Sequence, residues 1–112
     1  MKMKKITFAF AALVLFSAWA HAAETLDAEA VKKLITDKTV HAQTPRGPLK
    51  TYFSPDGKAY RNTEEGTWYV KADGTHCIEG MRGGCEKIAP NGDGSYTRGA
   101  AEWKIIVDGK VL

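Results

Sequence analysis

Three hydrophobic patterns follow one another along the chain. Ile6 to Trp19 is an apolar run broken only by Thr7 and Ser17. From Leu26 onward apolar residues return at helical spacing: Leu26, Ala30, Val31, Leu34 and Ile35 form one stripe. Beyond Lys38, short runs rich in Val, Ile, Thr, Tyr and Trp alternate with Gly and Asp clusters, the pattern of strands and turns.

The first run is flanked in a telling way. Lys2, Lys4 and Lys5 precede it, and Ala20-His21-Ala22 supplies an A-x-A site after it. Charge, apolar run and small-residue site in that order predict a cleaved secretory signal peptide over residues 1–22. A buried N-terminal helix is the alternative. The run is shorter than the roughly 20 residues of a membrane span. No cysteine sits at the cleavage point, so no lipid anchor is expected. No later apolar stretch is long enough to cross a membrane. The expected product is a single soluble periplasmic domain, residues 23–112, acting as a monomer.

The second pattern predicts one helix over about residues 26–37. Thr25 or Asp27 can cap it, Glu29 suits its first turn, and Lys38 suits its negative pole. Its stripe is expected to pack on its own domain.

The third pattern predicts an antiparallel meander over about residues 39–112. Asp56-Gly57, Asp73-Gly74 and Asp108-Gly109 read as two-residue hairpin turns, and Gly-rich turns lie at 80–84 and 92–94. Two-residue loops set Phe53 opposite Tyr60, Val70 opposite Cys77 and Trp68 opposite Glu79. Trp68, Val70 and Cys77 then share the core face, and Tyr69, Lys71, His76 and Ile78 the other. A three-residue loop Gly80-Met81-Arg82 sets Cys77 opposite Cys85, and the last hairpin pairs Ile106 with Val111. The fold class is therefore mainly β: a meander of about seven or eight strands closing to a small barrel, or a curled sheet, with one helix packed on it.

Charge and cysteine content sharpen this picture. Three of the 16 basic residues lie in the leader, which leaves 13 against 13 acidic residues. A nucleic-acid binder or a polybasic membrane surface needs a surplus of Lys and Arg, and none remains. Two cysteines in a small exported domain predict a disulfide between Cys77 and Cys85. A zinc or copper site from His76, Cys77, Cys85 and Met81 is the competing reading.

Few residues suggest catalysis. His41 and His76 are the only histidines after the leader, and there is no G-x-S-x-G or C-x-x-C. Glu64 and Glu65 adjoin each other in a turn, unlike the paired carboxyls of a glycosidase. Asn91, Asp93, Ser95, Thr97 and Glu102 match the ligand spacing of an EF-hand calcium loop, but Tyr96 stands where that loop needs glycine. A turn in the meander explains them more simply. Without a nucleophile–base pair, no enzyme activity and no cofactor is expected.

From Leu26 to the C-terminus the chain resembles a family of small exported bacterial β-rich proteins of unknown function. The likeness lies in the order of Leu26-Asp27-Ala28-Glu29, Tyr52-Phe53-Ser54-Pro55-Asp56-Gly57, Gly66-Thr67-Trp68-Tyr69-Val70 and Asp73-Gly74-Thr75-His76-Cys77. It implies no activity. Gly94-Ser95-Tyr96-Thr97-Arg98-Gly99 followed by Trp103 resembles a strand of periplasmic c-type lysozyme inhibitors, with serine and glycine in reversed order.

These features point to a non-catalytic binding or interaction domain whose partner is a protein or small ligand of the cell envelope. Met81, Arg82, Tyr96, Arg98 and Trp103 form the candidate binding surface. An inhibitor of an envelope-directed hydrolase such as lysozyme, a small-ligand or metal-binding barrel, and an enzyme are the alternatives.

Overall fold

Asp27 begins the regular structure. Its carboxylate accepts the Ala30 N–H at 2.9 Å and caps helix α1, Ala28–Ile35. The structure, a computed structural model, describes residues 24–112; the expected leader lies outside the described residues. The helix is shorter than predicted at both ends, because Asp27 is itself the cap and Thr36 is already extended. Val31 and Ile35, one turn apart, are fully buried. The chain then reverses through Asp37, whose positive φ of 61° is held from two sides. Its N–H donates to the Phe53 carbonyl at 2.8 Å, and its carboxylate accepts the Tyr52 hydroxyl at 2.6 Å.

Nine strands follow: β1 (Lys38–Thr44), β2 (Gly47–Phe53), β3 (Lys58–Arg61), β4 (Glu64–Val70), β5 (His76–Glu79), β6 (Gly84–Glu86), β7 (Ile88–Pro90), β8 (Tyr96–Arg98) and β9 (Ala101–Asp108). They form one antiparallel sheet in the order β6-β5-β4-β3-β2-β1-β9-β8-β7. Its two edge strands, β6 and β7, are joined in the chain by Lys87 alone. The sheet therefore curls until its edges meet, giving a nearly closed barrel. Val40, Phe53, Ala59, Trp68, Ile78, Ile88 and Trp103 fill the inside together with Val31 and Ile35 of the helix.

Two registers differ from those predicted. Phe53 pairs with Ala59 and Tyr52 with Tyr60, so the first aromatic pair is Tyr52–Tyr60, its ring centroids 6.2 Å apart. Likewise Val70 pairs with His76, Tyr69 with Cys77 and Trp68 with Ile78. The cause is the same in both hairpins. Asp56 and Asp73 do not take the positive φ that a two-residue type I′ turn requires; only Gly57 and Gly74 do, at 89° and 91°. Each Asp instead accepts the N–H two residues on, from Lys58 at 3.1 Å and Thr75 at 3.0 Å. The loop grows by one residue, and a one-residue slip exchanges the faces of a strand. His76 and Ile78 consequently lie inside with Trp68 and Val70, while Cys77 shares the outer face with Tyr69, although it is itself fully buried.

The third loop is as predicted. Cys77 pairs with Cys85, and the two are disulfide-bonded with Cα atoms 4.0 Å apart. The last hairpin does not form. Residues 109–112 form no strand, and β9 pairs instead with β1, Lys38 opposite Asp108 and Val40 opposite Ile106. Thr39 ties the C-terminal segment down: its hydroxyl donates to the Gly109 carbonyl at 2.6 Å and accepts the Val111 N–H at 2.9 Å.

Because the strands go up and down, alternate turns share an end. The turns at 54–57, 71–75 and 91–95 and the end of β9 lie at one end, beside α1. There Leu26 donates its N–H to the Ile88 carbonyl at 2.8 Å. Gly74 abuts the same segment so closely that a Cβ on it would fall 2.4 Å from the Leu26 carbonyl oxygen. The turns at 45–46, 62–63, 80–83 and 99–100 lie at the opposite end, which no helix covers among the described residues.

Candidate functional site

A cavity of about 450 Å3 opens at that uncovered end. Val40, Phe53, Ile78 and Trp103 supply apolar wall, and the β1–β2 hairpin with Pro45 and Pro48 forms part of the rim. All four arginines of the sequence, Arg46, Arg61, Arg82 and Arg98, line it. No lysine or histidine does, and Glu86 is its one acidic residue. The fold explains the convergence, since each arginine lies in or beside a turn at the open end.

Arg98 closes the barrel. Its guanidinium reaches from β8 across the gap to β5 and β6, donating to the carbonyls of Gly83 at 2.9 Å, His76 at 3.0 Å and Gly84 at 2.8 Å. Its Nε donates to Nδ1 of His76 at 2.9 Å. Arg98 is 7% exposed. Burial pulls its pKa down to about 10; Glu86 opposes that shift and the nearby Arg61 adds to it.

Arg61, on the inner face of β3, is 6% exposed. Its Nε donates to the Thr51 hydroxyl at 2.9 Å and its Nη1 to the Arg82 carbonyl at 2.8 Å. Among the described residues, Nη2 has no hydrogen-bond partner. Burial lowers its pKa, Glu64 raises it and Arg82 lowers it further. Neither buried guanidinium has a carboxylate within salt-bridge distance, for the ion pairs among the described residues are Lys38–Asp108, Lys58–Glu65 and Lys87–Asp73.

His76 lies beneath this layer, fully buried among Phe53, Trp68 and Trp103, whose ring centroids stand 5.0, 5.9 and 5.8 Å from its own. Because Nδ1 accepts from Arg98, the ring is neutral and carries its proton on Nε2, which has no hydrogen-bond partner. Aromatic rings surround that proton instead. Burial first, and the Arg98 charge second, bring the pKa of His76 down to about 3.

The five residues of the predicted binding surface divide. Arg82, Arg98 and Trp103 line the cavity, Trp103 being 4% exposed. Met81 and Tyr96 pack against the core, and they do not form an exposed patch with the other three. Arg46 and Arg61 were missed. The residues at calcium-loop spacing bond to one another in the β7–β8 turn. Asn91 Nδ2 donates to Ser95 Oγ at 2.9 Å, Ser95 N and Oγ both donate to Asp93, and Thr97 donates to Asn91 at 2.8 Å. Glu102 pairs with Thr97 on the neighbouring strand. Among the described residues no three His, Cys, Asp or Glu side chains gather as a metal site. The zinc or copper reading fails on geometry: both sulfurs are in the disulfide, and His76 lies on the opposite face of β5.

No protein-family model, curated protein or solved structure matches the chain. Among the described residues, no helix is long and apolar enough to cross a membrane.

Proposed function

We propose that this chain is exported and acts by binding: it holds a small ligand in the open end of the barrel and turns nothing over. The cavity of about 450 Å3, framed by strands on its sides and by aromatic core beneath, is the observation that carries the reading. Among the described residues its lining contains no histidine, cysteine or lysine, and its one carboxylate, Glu86, is exposed. The disulfide fits an oxidising compartment, and the three-part leader supplies the route to it.

Native mass spectrometry tests this. Protein expressed from the full chain is incubated with a small-molecule extract of cell envelope, beside an Ala101→Trp variant that places a large ring in the mouth. A bound small molecule is expected on the wild type and not on the variant. An empty wild type, or a folded variant that still carries the molecule, overturns the proposal.

A further inference from the structure

We infer that the ligand is an amphiphilic anion, a carboxylate or phosphate carried on an apolar body, whose charged group is received by Arg61 beside Arg98. This rests on the cavity being the binding site. Three features of the lining point to an anion.

The first is the choice of cation. Four arginines and no lysine surround the space, although lysines outnumber arginines three to one in the whole chain, 12 of 16 basic residues. Solvated surface charge has no reason to sort in this way. Arginine is preferred where a planar fork must grip a carboxylate or phosphate.

The second is uncompensated burial. A guanidinium taken out of water is unfavourable unless an anion or a full set of acceptors meets it. Arg98 donates four of its five N–H groups to neutral acceptors, three carbonyls and a ring nitrogen. Arg61 donates only two of five. The three N–H groups left over, which include both on Nη2, meet no acceptor among the described residues. Arg98 is thus part of the scaffold, whereas Arg61 offers an unused fork inside a cavity.

The third is the local charge. Four cations face one acid, Glu86, whose exposed side chain lies against Gly99 and bonds neither buried arginine. Outside the leader the chain as a whole is balanced, so this excess of positive charge is particular to the cavity. The apolar wall of Val40, Phe53, Ile78 and Trp103 requires that the anion carry a hydrophobic body.

Decanoate, decyl phosphate and neutral decanol share a tail and differ in head group, so they separate the parts of the argument. Each is titrated into the full chain and into Arg61→Gln. Binding is followed by NMR, with the Trp103 indole N–H as the reporter of the cavity. Decanoate or decyl phosphate is expected to move the Trp103 signal, with affinity at least about tenfold above decanol. Arg61→Gln is expected to lose about that factor for the anions, equivalent to roughly 1.4 kcal/mol, and to leave decanol unchanged. The tighter of the two anions distinguishes a carboxylate ligand from a phosphate ester. Equal binding of decanol and decanoate, or anion binding unaltered in Arg61→Gln, overturns the inference while leaving the cavity reading intact. If no probe moves the Trp103 signal, both fall.

Discussion

The two ends of the barrel handle charge in opposite ways. At the helix end, acidic groups are satisfied by their near neighbours. Asp27 caps α1, and Asp56, Asp73 and Asp93 each accept an N–H from two or three residues away in their own turns. The Ser54 and Ser95 hydroxyls first, and backbone amides second, hold the carboxyls of Asp56 and Asp93 below their ordinary pKa; for Asp73 the Thr75 amide comes first and its hydroxyl second. Around the cavity of the open end four arginines face the single acid Glu86, and the two buried ones are met by neutral acceptors distant in the chain. One end is complete by itself. The other leaves N–H groups of the buried Arg61 that no described residue accepts.

Removing Arg98 should break this contrast most severely. Arg98→Ala leaves the Gly83, Gly84 and His76 carbonyls and His76 Nδ1 without their donor. A loss of about 3–5 kcal/mol is expected in urea unfolding; less than about 1 kcal/mol would show that Arg98 does not hold the edges together. Truncating the plug should come next. Ile35 is fully buried, and Ile35→Ala should cost about 3 kcal/mol while leaving ligand affinity at the far end unchanged. A parallel loss of affinity would mean that the two ends are coupled.

The third expectation concerns acid. The folded pKa of His76 is about 3, below the ordinary value of 6.5. The unfolded chain therefore binds a proton that the folded chain refuses between these values. Stability is unaffected by this group above pH 6.5 and declines below it by about 1.4 kcal/mol per pH unit. Comparing unfolding at pH 7 and pH 4.5 in wild type and His76→Gln measures it. A wild type as pH-independent as the variant over that window refutes the burial argument. The smallest effect should come from Arg61. Arg61→Leu removes a buried cation that lacks an anion, so stability should change by less than about 1 kcal/mol, or rise. A loss as large as that of Arg98→Ala would make Arg61 a second structural arginine.

Much of this was legible before the fold was known. The helical stripe, the meander and the disulfide all follow from local spacing, and the Gly80-Met81-Arg82 loop placed the cysteines opposite each other. The inside of β5 was not legible. Asp-Gly suits both a two-residue turn and a three-residue turn in which glycine alone is left-handed. The choice is made by where the Asp side chain finds an N–H, and it decides whether His76 or Cys77 faces the core. The arginine cavity was missed because residues 46, 61, 82 and 98 have no common spacing. A signal was nonetheless present. With Asp93-Gly94 added to the other three, every Asp-Gly pair lies at one end of an up-and-down sheet and every arginine beside a turn at the other. Sorting turns by alternation would have placed all four arginines together.

The gap that Arg98 spans has a consequence for motion. Strand β6 is hydrogen-bonded only to β5, and β7 only to β8, so three residues on each side carry an edge without a ladder partner. Opening along this line would break no strand ladder, but it must break the bonds of Arg98 to His76, Gly83 and Gly84, and Lys87 still joins β6 to β7. Amide hydrogens of β6 and β7 should exchange with solvent through local opening, while those of β1, β2 and β9 wait for global unfolding. The disulfide pins β6 to β5 on the outer face, so the opening hinges about β7 and β8. The interior would then be reached from the side of the barrel as well as through its mouth.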